Sequence, residues 1–101
     1  MILVYATFRS ESEVKKAAKL LVADKLVACV NFFPAGTTYF WNELREGTEW
    51  VGIFKTTEKL VEKVFSTIKK NNTYETPAIF TIPVGTVDQD YEKWVEETLD
   101  E

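Results

Sequence analysis

Cys29 is the one thiol in a chain that contains no histidine. Thiolate suits copper(I) and zinc, whereas carboxylates and carbonyls suit harder ions, so a site for a soft ion would have to be built around that sulfur. Inside an apolar strand a lone cysteine has a second role open to it, that of a small buried hydrophobe. Glu75 is the next candidate. It stands just before Thr76-Pro77, where proline imposes an extended entry into the following segment. Its carboxylate is placed to ligate a metal, to neutralise Lys55, or to anchor its loop through a salt bridge or a backbone hydrogen bond. Glu43, Glu46 and Glu49 form a third acidic group that would suit a hard, partly hydrated ion such as magnesium or calcium. Their spacing matches no calcium loop, and solvation is the expectation there.

The same inventory excludes much chemistry. Without histidine, Ser-His-Asp, Cys-His and histidine-zinc arrangements each lack a member. One cysteine cannot close an intrachain disulfide, and no glycine-rich phosphate loop is present. Only carboxylate or lysine chemistry is left, for instance Glu75 beside Lys55, so no enzyme is expected. The formal net charge of −4 supplies no basic footprint for phosphates, and no nucleic-acid partner is expected despite 14% aromatic residues. No run approaches the ~20 consecutive apolar residues of a membrane span, and the opening Met-Ile-Leu-Val lacks a basic leader with a cleavage site. A cytoplasmic protein without a membrane segment is the expectation.

The elements that must position these residues repeat. Ile2 to Phe8, Ser12 to Lys25 and Ala28 to Phe33 read as strand, helix and strand, and Glu49 to Thr56, Glu58 to Asn71 and Ala78 to Val84 read the same way. Two split βαβ units in 101 residues predict one α+β domain over 1–101, a ferredoxin-like sandwich with an antiparallel sheet and helices sharing one sheet face. Ser10 and Glu13 have capping-box spacing, followed by Val14, Ala17, Ala18 and Leu21 along one helical stripe. Thr57 is placed to cap the second helix, whose stripe is Val61, Val64, Phe65 and Ile68, with Lys69 and Lys70 suited to the dipole at its end. Asn71 and Asn72 supply the turn that follows.

Between the units, Thr37 to Leu44 and Glu49 to Thr56 predict a long aromatic hairpin turning at Arg45, Glu46 and Gly47. An extra C-terminal helix starts at Asp88 and carries Tyr91, Trp94, Val95 and Leu99 on one side, with Glu92, Glu96, Glu97, Asp100 and Glu101 solvated. In the first strand Ile2, Val4 and Ala6 alternate with Leu3, Tyr5 and Thr7, so both faces are fit to be covered. Two crossover helices cover only one. Tyr39, Phe40, Trp41 and Trp50 are left seeking a partner, which points to a homo-oligomer; a monomer using the third helix as a lid is the alternative.

Leu26-Val27-Ala28-Cys29-Val30-Asn31, Tyr39-Phe40-Trp41, Lys55-Thr56, Tyr74-Glu75-Thr76-Pro77 and then Tyr91 with Trp94 resemble, in that order along nearly the whole chain, the CutA divalent-cation tolerance family. The resemblance implies a very stable homotrimer, similar in architecture to PII signalling proteins, that binds divalent cations such as copper and has no established catalytic reaction. Cys29 resembles the family's cysteine in the strand after the first helix, and with Glu75, singled out above by its place before Thr76-Pro77, it is a candidate metal ligand. It also implies an intersubunit cleft in which Tyr39, Trp41, Tyr74 and Trp94 would line a pocket and Lys55 would grip a small anionic effector. The same aromatics are equally suited to packing an interface. The family's pattern has His-Pro before Tyr74, often after another histidine, where this chain has Asn71, Asn72 and Thr73. Amide carbonyls are poor copper ligands, so a site built differently is expected. A PII-like signalling module and a purely structural scaffold trimer are the rival readings.

Overall fold

The computed structural model describes residues 1–99; Asp100 and Glu101, read above as solvated carboxylates, lie outside them. Four strands, β1 (Ile2–Phe8), β2 (Cys29–Phe40), β3 (Leu44–Thr56) and β4 (Ile79–Pro83), form one sheet in the order β2-β3-β1-β4. Every neighbouring pair is antiparallel. Helices α1 (Glu11–Ala23) and α2 (Val61–Lys70) make the two crossovers, and α3 (Gln89–Thr98) follows β4. This is the ferredoxin-like α+β sandwich with an extra C-terminal helix that the doubled pattern predicts. None of the helices among the described residues is long and apolar enough to cross a membrane.

Strand register sorts the side chains. Residues directly opposite in a ladder point to the same face, so Val4 aligns with Phe54 and Val30, and Ala6 aligns with Gly52 and Phe32. That face receives α1 and α2. Val4, Ala6, Phe8 and Phe54 from the sheet, with Val14, Ala17, Leu21, Val64 and Ile68 from the helices, are all fully buried. Ser10 caps α1 by accepting from the Glu13 N–H at 3.4 Å, as the capping-box spacing requires. Lys25, just beyond the helix, takes φ 57°. α2 is preceded by a 3-10 turn, Glu58–Leu60, which Thr57 opens in an extended conformation. Asp88 caps α3 by accepting from the Tyr91 N–H at 3.2 Å. Val95 and Leu99 then pack with Ala28 and Leu60 in a second, smaller cluster.

The hairpin corrects the sequence reading in two respects. β2 does not break after Phe33 but runs unbroken through Pro34, paired opposite Trp50, to Phe40. An edge strand tolerates this, because a proline there loses no ladder bond on its outward side. The turn is not at Arg45, Glu46 and Gly47, which lie inside β3. It falls at Trp41, Asn42 and Glu43, closed by the Trp41 N–H donating to the Glu43 carbonyl at 3.0 Å. Asn42 supplies the left-handed residue at φ 65°, a conformation that asparagine reaches more cheaply than most residues. The resulting arm stretches the molecule to 45 Å along its longest axis against 20 Å along its shortest.

Candidate functional site

The face away from α1 and α2 carries the residues with chemistry. Its rows are Leu3, Lys55 and Cys29, then Tyr5, Ile53 and Asn31, then Thr7, Val51 and Phe33, continuing up the arm through Glu49 with Ala35 and Arg45 with Tyr39. Cys29 and Lys55 therefore sit at one end, Tyr39 and Arg45 at the other. Phe80 of β4 stacks on Tyr5 between them, centroids 4.7 Å apart, and remains 47% exposed.

At the first end the half-buried Cys29 sulfur accepts from the Lys55 ammonium at 3.8 Å, and the same ammonium donates to the Asn31 side-chain carbonyl. Tyr91 of α3 brings its hydroxyl to this sulfur; burial first, and then Cys29, push the phenol above its ordinary value of 10.0. Trp94 lies beside Tyr91, ring centroids 5.7 Å apart. Thus Lys55 and Trp94 belong with Cys29 within one chain. They do not join Tyr39, Trp41 and Tyr74.

At the other end the loop after α2 closes a cleft of about 500 Å³ against the arm. Thr7 anchors the loop: its carbonyl accepts from the Asn72 side-chain amide at 2.8 Å, and it exchanges bonds with Ala78 at 3.1 and 3.3 Å. The Asn72 side-chain oxygen accepts from the Tyr74 N–H at 2.9 Å, and the Asn71 amide donates to the Thr67 carbonyl at 2.9 Å. Both amides, Asn71 and Asn72, are thus engaged in shaping the loop. Glu13 holds the next residue, its carboxylate accepting from the Thr73 N–H at 2.9 Å and hydroxyl at 2.8 Å. Burial raises the Glu13 pKa, but these bonds, with help from Ser10 and Arg9, outweigh it and keep the carboxyl below 4.5.

Tyr39, Trp41, Tyr74 and Glu75 all line this cleft, as do Arg9, Arg45 and Glu49. Arg9 lies over the Tyr74 ring, 4.8 Å from its centroid, and donates through Nε to Thr73 at 3.2 Å. Arg45 donates through Nε to the Trp41 carbonyl at 3.0 Å. The Tyr74 hydroxyl reaches Glu49 at 3.5 Å; burial, then the charge of Glu49, hold its pKa above 10.0. Sequence reasoning missed Arg9 and Arg45 as site residues. The sequence pattern puts Arg45 in the turn, and only the observed register sets it on the face of Tyr39.

Within one chain Glu75 is remote from Lys55 and from Cys29. Lys55 is opposite Leu3, whereas the cleft is built on Thr7, four residues along β1, roughly 13 Å at strand rise. Among the described residues no three Cys, Asp or Glu side chains gather in a group fit to hold a metal.

With that geometry in view, the comparisons are consistent. The family model described as CutA1 divalent ion tolerance protein matches residues 2–98. This chain belongs to that family. The divalent-cation tolerance protein CutA of Thermotoga maritima is 39% identical over 100 residues, covering 98% of this chain and 99% of the relative. That of Pyrococcus horikoshii is also 39% identical, covering 97% and 98%. The crystal structure of Pyrococcus horikoshii CutA1 aligns over 100% of both chains with a TM-score of 0.94 at 35% identity. CutA from Archaeoglobus fulgidus aligns over 99% and 100% with a TM-score of 0.95 at 32%.

Proposed function

We propose that this CutA family chain acts in tolerance of divalent and soft cations, as a homotrimer that binds copper or a related ion at a site centred on Cys29. The carrying observation is the placement of that sulfur, half-buried on the sheet face that α1 and α2 leave open. One chain provides too few ligands, so copies packed face to face around an axis would have to complete the set. The bare face and arm support such packing: Phe80, Phe33, Tyr39, Phe40 and Leu44 are exposed, Phe40 at 77%. Exposed apolar surface of this extent is characteristic of an interface. Glu75 would contribute only across a subunit boundary. The Lys55 ammonium opposes a cation at the sulfur and would have to swing aside. No catalytic step enters this reading.

Sedimentation should give three times the chain mass, and calorimetric titration with copper(I) under reducing conditions should saturate and be lost in Cys29→Ser. Unchanged binding in that variant sinks the cysteine site, and a monomer sinks the assembly. Lys55→Met should tighten copper binding if the ammonium is the competitor. A second reading, a PII-like trimer that binds a small effector or a protein partner, is favoured by the cleft. Its ring-lined, charge-bearing walls and its size suit a small molecule.

A further inference from the structure

We propose that the cleft between the arm and the loop after α2 binds a small aromatic zwitterion, a molecule of amino-acid size with one carboxylate, one ammonium and a flat ring. This rests on the effector reading and names its ligand class. Two cations, Arg9 and Arg45, and two anions, Glu49 and Glu75, line the cleft, so its own charges cancel. A metal ion would meet both guanidiniums. A simple anion would meet both carboxylates. A ligand carrying both signs answers each pair, and its ring answers Tyr39, Trp41 and Tyr74.

The two arginines are prepared for the carboxylate arm. Each is held through Nε, Arg9 by Thr73 and Arg45 by the Trp41 carbonyl, which leaves the terminal nitrogens as donors suited to two oxygens at once. Arg45 also lies 3.7 Å from Glu43, but both side chains are largely exposed and the pair is weak enough to be exchanged. Arg9 is further fixed by the ring of Tyr74. Glu75 makes no ion pair among the described residues, and among them Glu49 has the long Tyr74 hydroxyl contact in the cleft and no ion pair. An incoming ammonium thus finds carboxylates without a cationic partner to displace.

Calorimetric titration of the intact protein in a metal chelator tests this, with L-phenylalanine, L-tyrosine and L-tryptophan as probes. The deletions 3-phenylpropionate, lacking the ammonium, and phenethylamine, lacking the carboxylate, are run beside them. Saturable binding of at least one amino acid is expected, with its singly charged analogue about tenfold weaker or worse, the scale of one lost charged hydrogen bond. Arg45→Gln should weaken the amino acid and phenylpropionate but leave phenethylamine unaffected, and Glu75→Gln should weaken the amino acid and phenethylamine but leave phenylpropionate unaffected. If phenylpropionate binds as tightly as the amino acids, the zwitterion proposal is overturned while the effector reading survives. If no probe binds, the proposal falls, and a wider thermal-shift screen of metabolites decides separately whether any effector is held.

Discussion

The two faces of one sheet have opposite characters. On the helical face Val4, Ala6, Phe8 and Phe54 are sealed under α1 and α2 at zero exposure. On the other, one register step away, Tyr5, Ile53, Phe80 and Ile82 are covered only in part, and Cys29, Lys55, Arg45 and Glu49 share the surface with them. A closed apolar face stabilises the fold but offers no chemistry. An open face carrying charge beside aromatic rings is poor at stabilising a lone chain and well suited to binding other molecules, including copies of itself.

The comparison breaks most visibly at matched aromatic truncations. Phe54→Ala, which deletes a ring packed 6.1 Å from that of Phe8, should cost about 3–5 kcal/mol and leave the protein barely folded in a thermal melt. Phe80→Ala on the open face should cost under about 1 kcal/mol in a lone chain, because its ring is half in water already. In a trimer that covers this face the loss should approach that of Phe54→Ala, and the melting temperature should depend on protein concentration. A small, concentration-independent effect would show that copies leave the face bare.

Gly52 sharpens the contrast at one residue. A Cβ there would lie 2.6 and 2.9 Å from the Phe54 ring and 3.2 Å from Val14. Both neighbours are fully buried, so Gly52→Ala should cost about 1–3 kcal/mol through overpacking. Gly36 and Gly47, out on the arm, meet nothing within 4 Å, and alanine at either should change the melting temperature little.

Much of this is legible in the sequence alone. Helical stripes such as Val14, Ala17, Ala18 and Leu21 and capping residues such as Ser10 and Asp88 are local signals, and the repeated βαβ order leaves few topologies. The hairpin departs from its sequence signals because glycine at position 47 and proline at position 34 are strong punctuation marks that pairing overrides: the edge absorbs the proline, and Asn42 makes the turn. The site was half legible. Cys29, Tyr74 and Glu75 stood out by residue type, but Arg9 and Arg45 enter through register and loop docking, contacts made across 64 residues in the case of Arg9 and Thr73.

The smallest effect concerns how the open face keeps its shape. Glu13 projects from the helical layer to hold Thr73, and through it the loop that walls the cleft. Glu13→Gln keeps one acceptor oxygen but loses the charge, and solvent screening at this partly exposed position limits the loss to about 1 kcal/mol. Because the folded-state pKa lies below the ordinary 4.5, the unfolded chain takes up the proton first as pH falls. The stabilisation is therefore complete above the unfolded value and fades as pH drops through the folded one. Wild type and Glu13→Gln should differ in melting temperature at pH 7 and converge in strong acid. The protection of the Thr73 and Tyr74 amides, relative to their intrinsic exchange rate at each pH, should fall along the same pH path, while amides under the helical face stay protected. If those two amides exchange at one opening rate from pH 7 into acid, the carboxylate does not hold the loop, and the cleft owes its shape to Thr7 and Asn72 alone.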